Sequence, residues 1–140
     1  MFQLAVEDFT KAISLDSTNA AFHRNRGVAY KKLEHYSRAI EDYDKAILLK
    51  PDYASAYNNR GVAYKKVGEF QKALTDYNQA IDLEPNNGNA YYNRGICYAQ
   101  LELEENACDD FNQAGELGFF EAYEIIQEYC KENNKKYLSE

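Results

Sequence analysis

Apolar positions along the chain recur at steps of three and four residues, and no stretch alternates strictly between apolar and polar as a half-buried strand does. In the middle of the chain Ala56, Arg60, Ala63, Tyr64 and Val67 fall on one helical stripe, and Phe70, Ala73, Leu74, Tyr77, Ala80, Ile81 and Leu83 fall on the next. Gly68-Glu69 separates the stripes as a tight turn. Pro85 closes the pair, because proline lacks the amide hydrogen a helix interior needs and turns the preceding residue away from helical angles. The pattern predicts two short helices joined back to back.

This arrangement returns at a fixed interval. Asn59 to Lys66 repeats Asn25 to Lys32 residue for residue, and Asn93 to Gln100 is a weaker copy. Gly27, Gly61 and Gly95 are spaced 34 residues apart, as are Pro51 and Pro85. With glycine placed at position 8, the units are 20–53, 54–87 and 88–121, and the first two agree at 16 of 34 positions. One such unit cannot bury its own apolar face, so the period predicts an all-α solenoid of stacked antiparallel helix pairs. Asp8, Phe9, Ala12 and Leu15 lie one period before Asp42, Tyr43, Ala46 and Leu49. Residues 1–19 are therefore expected to carry the second helix of a unit that lacks its first, as in a fragment of a longer array or a rearranged N-terminus. At the other end Phe119 replaces proline, which makes 88–121 an atypical last unit. Ala122, Tyr123, Ile125, Ile126, Tyr129 and Cys130 then form the apolar face of a capping helix within 122–140, followed by a polar, frayed tail at 133–136.

These residues resemble the tetratricopeptide repeat family over nearly the whole chain. The family's small residue at position 8 is matched by Gly27, Gly61 and Gly95, and its aromatic at position 11 by Tyr30, Tyr64 and Tyr98. Its alanine at position 20 is matched by Ala5, Ala39, Ala73 and Ala107. The aromatic at 24 is Tyr43, Tyr77 or Phe111, the alanine at 27 is Ala46, Ala80 or Ala114, and the proline at 32 is Pro51 or Pro85. The resemblance implies a right-handed superhelix. Two positions depart from it. Where the family carries leucine, at position 7, this chain has Arg26, Arg60 and Arg94, and it places Asp8, Asp42, Asp76 and Asp110 at position 23. A half-buried guanidinium calls for a carboxylate, so structural Arg–Asp pairs are expected along the stack. The second departure is Glu104, where Tyr36 and Phe70 stand in the earlier units, and it suggests a looser second helix.

Charge and chemistry narrow the function. The net charge is −7 and the pI about 4.9, which argues against nucleic acid or an anionic membrane surface as partner. The acidic N-terminus has no signal-like apolar core, and the expected compartment is the cytoplasm. Cys97, Cys108 and Cys130 are odd in number and lack CxxC spacing, so they are expected to be small core residues under reducing conditions, with neither a disulfide nor a metal. His23 and His35 have no recurring nucleophile or carboxylate beside them, and no phosphate-binding, HExxH or GxSxG motif is present. The chain is read as a non-enzyme without cofactors.

The family lines its concave groove with the first helix of each pair. By that resemblance the groove here comprises Arg24, Asn25, Val28, Lys31 and Lys32, then Asn58, Asn59, Val62, Lys65 and Lys66, then Asn89, Tyr92, Asn93, Ile96 and Gln100. The set holds five cations and no carboxylate, in a chain with 23 acidic residues. The asparagines can pair with a peptide backbone, and the lysines favour acidic side chains or a C-terminal carboxylate. The expected function is a protein-interaction scaffold that holds a peptide or partner segment. The family's carboxylate clamp for chaperone tails is incomplete, because Val28, Asn89 and Asn93 stand where it needs asparagine, lysine and arginine. The alternative reading is an architectural module that self-stacks through its open N-terminal helix face, motivated by Phe2, Phe9 and Ala12.

Overall fold

The computed structural model describes residues 1–130; the tail at 133–136 lies outside them. Among the described residues the secondary structure is helical throughout. The helices are α1 (Phe2–Leu15), α2 (Ala20–Lys32), α3 (Tyr36–Leu49), α4 (Ala54–Lys66), α5 (Phe70–Leu83), α6 (Gly88–Gln100), α7 (Glu104–Glu116) and α8 (Ala122–Tyr129). They fall into two compact units, one from Met1 to Leu83 and one from Glu84 onward. In the first unit each helix packs on the next, from α1 through to α5, and in the second α7 packs on both α6 and α8.

The glycines of the repeat set the helix crossings. A Cβ placed at Gly27 would sit 2.6 Å from Cε1 of Tyr43, and one at Gly61 would sit 2.7 Å from Cε1 of Tyr77. Both rings are fully buried, so each tyrosine lies flat in the space that the missing side chain leaves. In the second unit Phe111 does the same at Gly95, again at 2.6 Å. That crossing is as close as the others, so Glu104 does not loosen the helix it begins. Val67 departs from its predicted stripe, because at 46% exposure it caps the end of α4 rather than joining the core.

The turns inside each pair share one device. Glu34, Gly68 and Glu102 occupy equivalent places and adopt φ of 61°, 82° and 60°. Each allows the next amide to reach back to the helix it has just left, with His35 N–H donating to Tyr30 O, Glu69 N–H to Tyr64 O, and Leu103 N–H to Tyr98 O, all at 2.9 Å. Two of the three turns place a glutamate in the left-handed region, at roughly 1–2 kcal/mol each. Glycine returns part of that through its freer unfolded chain. Glu34→Gly is therefore expected to stabilise the protein by about 0.5–1 kcal/mol, seen as a higher urea midpoint at unchanged slope.

The second unit corrects the reading of the cysteines. Cys108 on α7 and Cys130 at the end of α8, 22 positions apart, form a disulfide, while Cys97 is fully buried outside it. The cause lies in the register. Cys108 stands at the place of Ile40, and Cys130 one period after Ile96. In the first unit Ile40 packs into the cluster that joins α3 to α4. Here α8 follows α7 as α4 follows α3, so the two thiols meet. The bond ties α8 to α7, and Ala107, Phe111, Ala114 and Ala122 complete the buried cluster around it.

Candidate functional site

Three arginines cross the stack from first helix to second. Arg26 donates Nε to Asp42 Oδ2 at 2.8 Å and Nη2 to Oδ1 at 2.7 Å. Arg60 makes the same fork on Asp76 at 2.9 and 2.7 Å, and Arg94 on Asp110 at 2.8 and 2.7 Å. The carboxylates are buried and the guanidinium groups half-buried, and the hydrogen bonds that the arginines donate to the aspartates hold all three above their ordinary pKa. Tyrosine rings lie within cation–π reach, Tyr57 and Tyr64 of Arg60 and Tyr91 and Tyr98 of Arg94. Arg60 also bonds Asp44 of the preceding pair at 2.9 Å, and Arg26 bonds Thr10 on α1 at 3.2 Å, so these two forks each reach the preceding second helix. Arg26 and Arg60 thus have their donors committed to side chains of this chain. Asp8 is the exception to the expected series. It is exposed and meets no arginine, because no first helix packs on its side of α1 among the described residues.

The histidines have ordinary roles. His23 donates its Nε2 hydrogen to the Ser17 carbonyl at 3.0 Å, and one period later the Tyr57 hydroxyl donates to the Pro51 carbonyl at the same distance. His23 therefore does the work of a tyrosine at the entry to its helix. His35 lies in the turn before α3, with its ring 6.2 Å from that of Tyr30.

A different chemistry gathers on α2 and α4. Lys31 is half-buried, and its pKa is depressed first by that burial, then by Lys32, Arg24, Lys66 and Lys65. Five cations from two helices thus share one neighbourhood, and Lys31 makes no ion pair among the described residues. Lysines in a last turn complement the helix dipole, but that role does not require five cations from two helices to crowd together. Donors without acceptors accompany them. Arg24 donates Nη1 to Asn25 Oδ1 at 2.8 Å, while its Nε, the Nδ2 of Asn59 and the Tyr43 hydroxyl are buried without partners. Burial pushes the Tyr43 phenol up, and Arg24 is close enough to pull it partly back, so this hydroxyl belongs to the same neighbourhood. Val28 and Val62 are half-buried between the polar groups, and Asn58 is half-buried on α4.

On α6 the expected groove residues divide. Asn93 donates Nδ2 to Asn89 Oδ1 at 2.8 Å, an exposed bond. Tyr92 and Ile96 instead spend their apolar surface on the core of the second unit. The Tyr92 ring lies 4.7 Å from Phe119 and 5.8 Å from Phe111, and Ile96 packs on the cluster that contains Cys108 and Cys130. Both are half-buried, as Val28 is against the cluster of the first unit. Gln100 is exposed at the end of α6. Tyr43, fully buried at the crossing that Gly27 opens, was not among the expected groove residues.

Among curated proteins none matches this sequence. Family comparison matches a tetratricopeptide repeat at 54–87, a TPR repeat at 32–68 and a tetratricopeptide repeat again at 76–116. Solved structures agree. The crystal structure of MamA is 30% identical, with a TM-score of 0.76, covering 84% of this chain and 69% of that one. The first TPR of Spaghetti (RPAP3), solved with the HSP90 peptide SRMEEVD, is 29% identical with a TM-score of 0.78, over 85% of this chain and 96% of that one. The Arabidopsis OM64 TPR domain is 25% identical with a TM-score of 0.77, over 81% and 95%. Its 34-residue units of paired helices, its small-residue crossings and these likenesses together place this chain in the tetratricopeptide repeat family, as a non-enzymatic protein-interaction module.

Proposed function

We propose that the face formed by α2 and α4 binds an extended, acidic segment of a partner protein. The observation that carries this is the cation cluster around Lys31, where Lys32, Arg24, Lys65 and Lys66 crowd a half-buried ammonium that has no carboxylate of its own. Holding like charges together costs stability, and an anion on this face relieves that cost. Asn25 and Asn58 are half-buried beside the cations, and Val28 and Val62 give aliphatic contact between them. The first TPR of Spaghetti supports the class of ligand, since its peptide SRMEEVD is acidic and ends in aspartate. The residues that would hold a chaperone tail in the family's usual manner are replaced here by Val28, Asn89 and Asn93. We therefore place the acid-binding role on Lys31, Lys32, Lys65 and Lys66 instead.

The test uses a synthetic peptide of alternating glutamate and aliphatic residues, with a free or an amidated C-terminus. Lys31→Glu with Lys65→Glu is expected to weaken its binding by about tenfold or more, through the loss and reversal of two charges, and to flatten its dependence on salt. A loss of affinity on amidation would assign part of the site to the terminal carboxylate. Binding that ignores both the charge reversal and the salt would refute the electrostatic reading.

A further inference from the structure

α8 occupies the place of a first helix but lacks what seats the others. One period after Arg94 stands Glu128, and one period after Gly95 stands Tyr129. The first exchange removes the guanidinium that forks onto an aspartate in Arg26, Arg60 and Arg94. The second puts a ring where Gly27, Gly61 and Gly95 admit one. α8 is also 8 residues long, against 13 for α2, α4 and α6, and a helix of two turns has little stability of its own. Of its residues only Ala122 is buried. Ile125 and Ile126 are half-buried against the cluster, and the rings that meet α7, Tyr123 over Gly115 and Tyr129 at the edge of Phe111, are 44% and 37% exposed. The next position, Cys130, is bonded to Cys108. Two periods earlier the same two places hold Val62 and Ile40, both aliphatic and half-buried. A covalent bond thus stands on α8 where the first unit relies on apolar contact, a fork and a glycine crossing.

We infer that the Cys108–Cys130 disulfide is a redox-operated clasp, which holds α8 on α7 when oxidised and lets it leave when reduced. The bond closes a loop of 22 positions, so its loss returns to the open state the chain freedom that the loop denied it. A dithiol is the reductant. One of its thiolates attacks a cysteine sulphur, the other cysteine leaves as a thiolate, and the second thiol then displaces the first cysteine from the mixed disulfide. The dithiol departs as a disulfide, and two electrons and two protons stay with Cys108 and Cys130 as thiols. Cys108 and Cys130 are 6% and 1% exposed, so the attack follows a partial opening of α8 at the end that Cys130 closes. With α8 released, Ala107, Phe111 and Ala114 lose the cover that Ala122 and Cys130 give them, and α7 gains an apolar face. The clasp shares no residue with the cations around Lys31, and either reading can fail without the other.

The test is amide hydrogen exchange of the full chain, read by mass spectrometry on the oxidised protein, on the protein reduced with dithiothreitol, and on the double variant Cys108→Ser with Cys130→Ser. Dithiothreitol is expected to convert the bond to two thiols without added denaturant. The amides of α8 should then exchange at least about tenfold faster, while those of α3, α4 and α5 keep their rates. The double variant should match the reduced chain and ignore dithiothreitol. Equal protection of α8 in the oxidised and reduced chains, or a bond that dithiothreitol reaches only in denaturant, overturns the inference. So does a loss of protection across α6 and α7 as deep as that across α8, because the bond would then staple the whole second unit rather than clasp one helix.

Discussion

Asp76→Ala is expected to lower the unfolding free energy by about 3 kcal/mol, read from urea midpoints, because it strands a nearly buried guanidinium. Asp76 is 3% exposed and accepts both arms of the Arg60 fork. Arg60 keeps one bond to Asp44, whose side chain is 53% exposed, and that bond holds the loss at the lower end of the range for a broken buried pair. Removing Asp44 itself should cost less than about 1 kcal/mol, as for other exposed pairs. The double variant Arg60→Met with Asp76→Leu is expected to recover most of the loss, since neither charge is then left alone. A double variant as unstable as Asp76→Ala would show that the fork contributes through something other than charge compensation.

Gly61→Val is expected to destabilise by about 3 kcal/mol or more, the upper end for overpacking a close crossing. A Cβ alone would lie 2.7 Å from Cε1 and 2.9 Å from Cδ1 of Tyr77, a ring with no exposed surface and so no free direction in which to move. The gain in helix propensity from leaving glycine is well under 1 kcal/mol and cannot offset that. Gly68→Ala makes the contrast. Nothing lies within 4 Å of its Cβ, and the cost there comes only from a φ of 82°, about 1 kcal/mol. A thermal melt that ranks Gly68→Ala as the worse of the two would contradict the account of the crossings.

Much of this was legible in the sequence because a repeat states each rule several times. Gly27, Gly61 and Gly95 announce the crossing, and an arginine beside each glycine, with an aspartate sixteen residues on, announces the fork. Residues that occur once, or that lie where the repetition stops, were harder. Asp8 has the residue type of its series but no arginine, since a residue's type does not reveal whether its partner helix is present. Cys108 and Cys130 share no local motif, and only the register of α8 against α7 brings them together. Tyr92 and Ile96 occupy groove positions by count and also pack, half-buried, against the core cluster of the second unit. The crowding of the cations was half visible. Their positions were countable, whereas the burial of Lys31 and the unpartnered hydroxyl of Tyr43 depend on how closely α2, α3 and α4 meet.

The most direct test of the central claim is a residue-by-residue map of amide shifts by NMR as the acidic peptide is added to the isotope-labelled chain. The largest changes are expected on Arg24, Asn25, Lys31, Asn59 and Lys65, on the shared face of α2 and α4, and are expected to fade with added salt. Changes concentrated on the exposed residues of α3 and α5, or none at all, would contradict it.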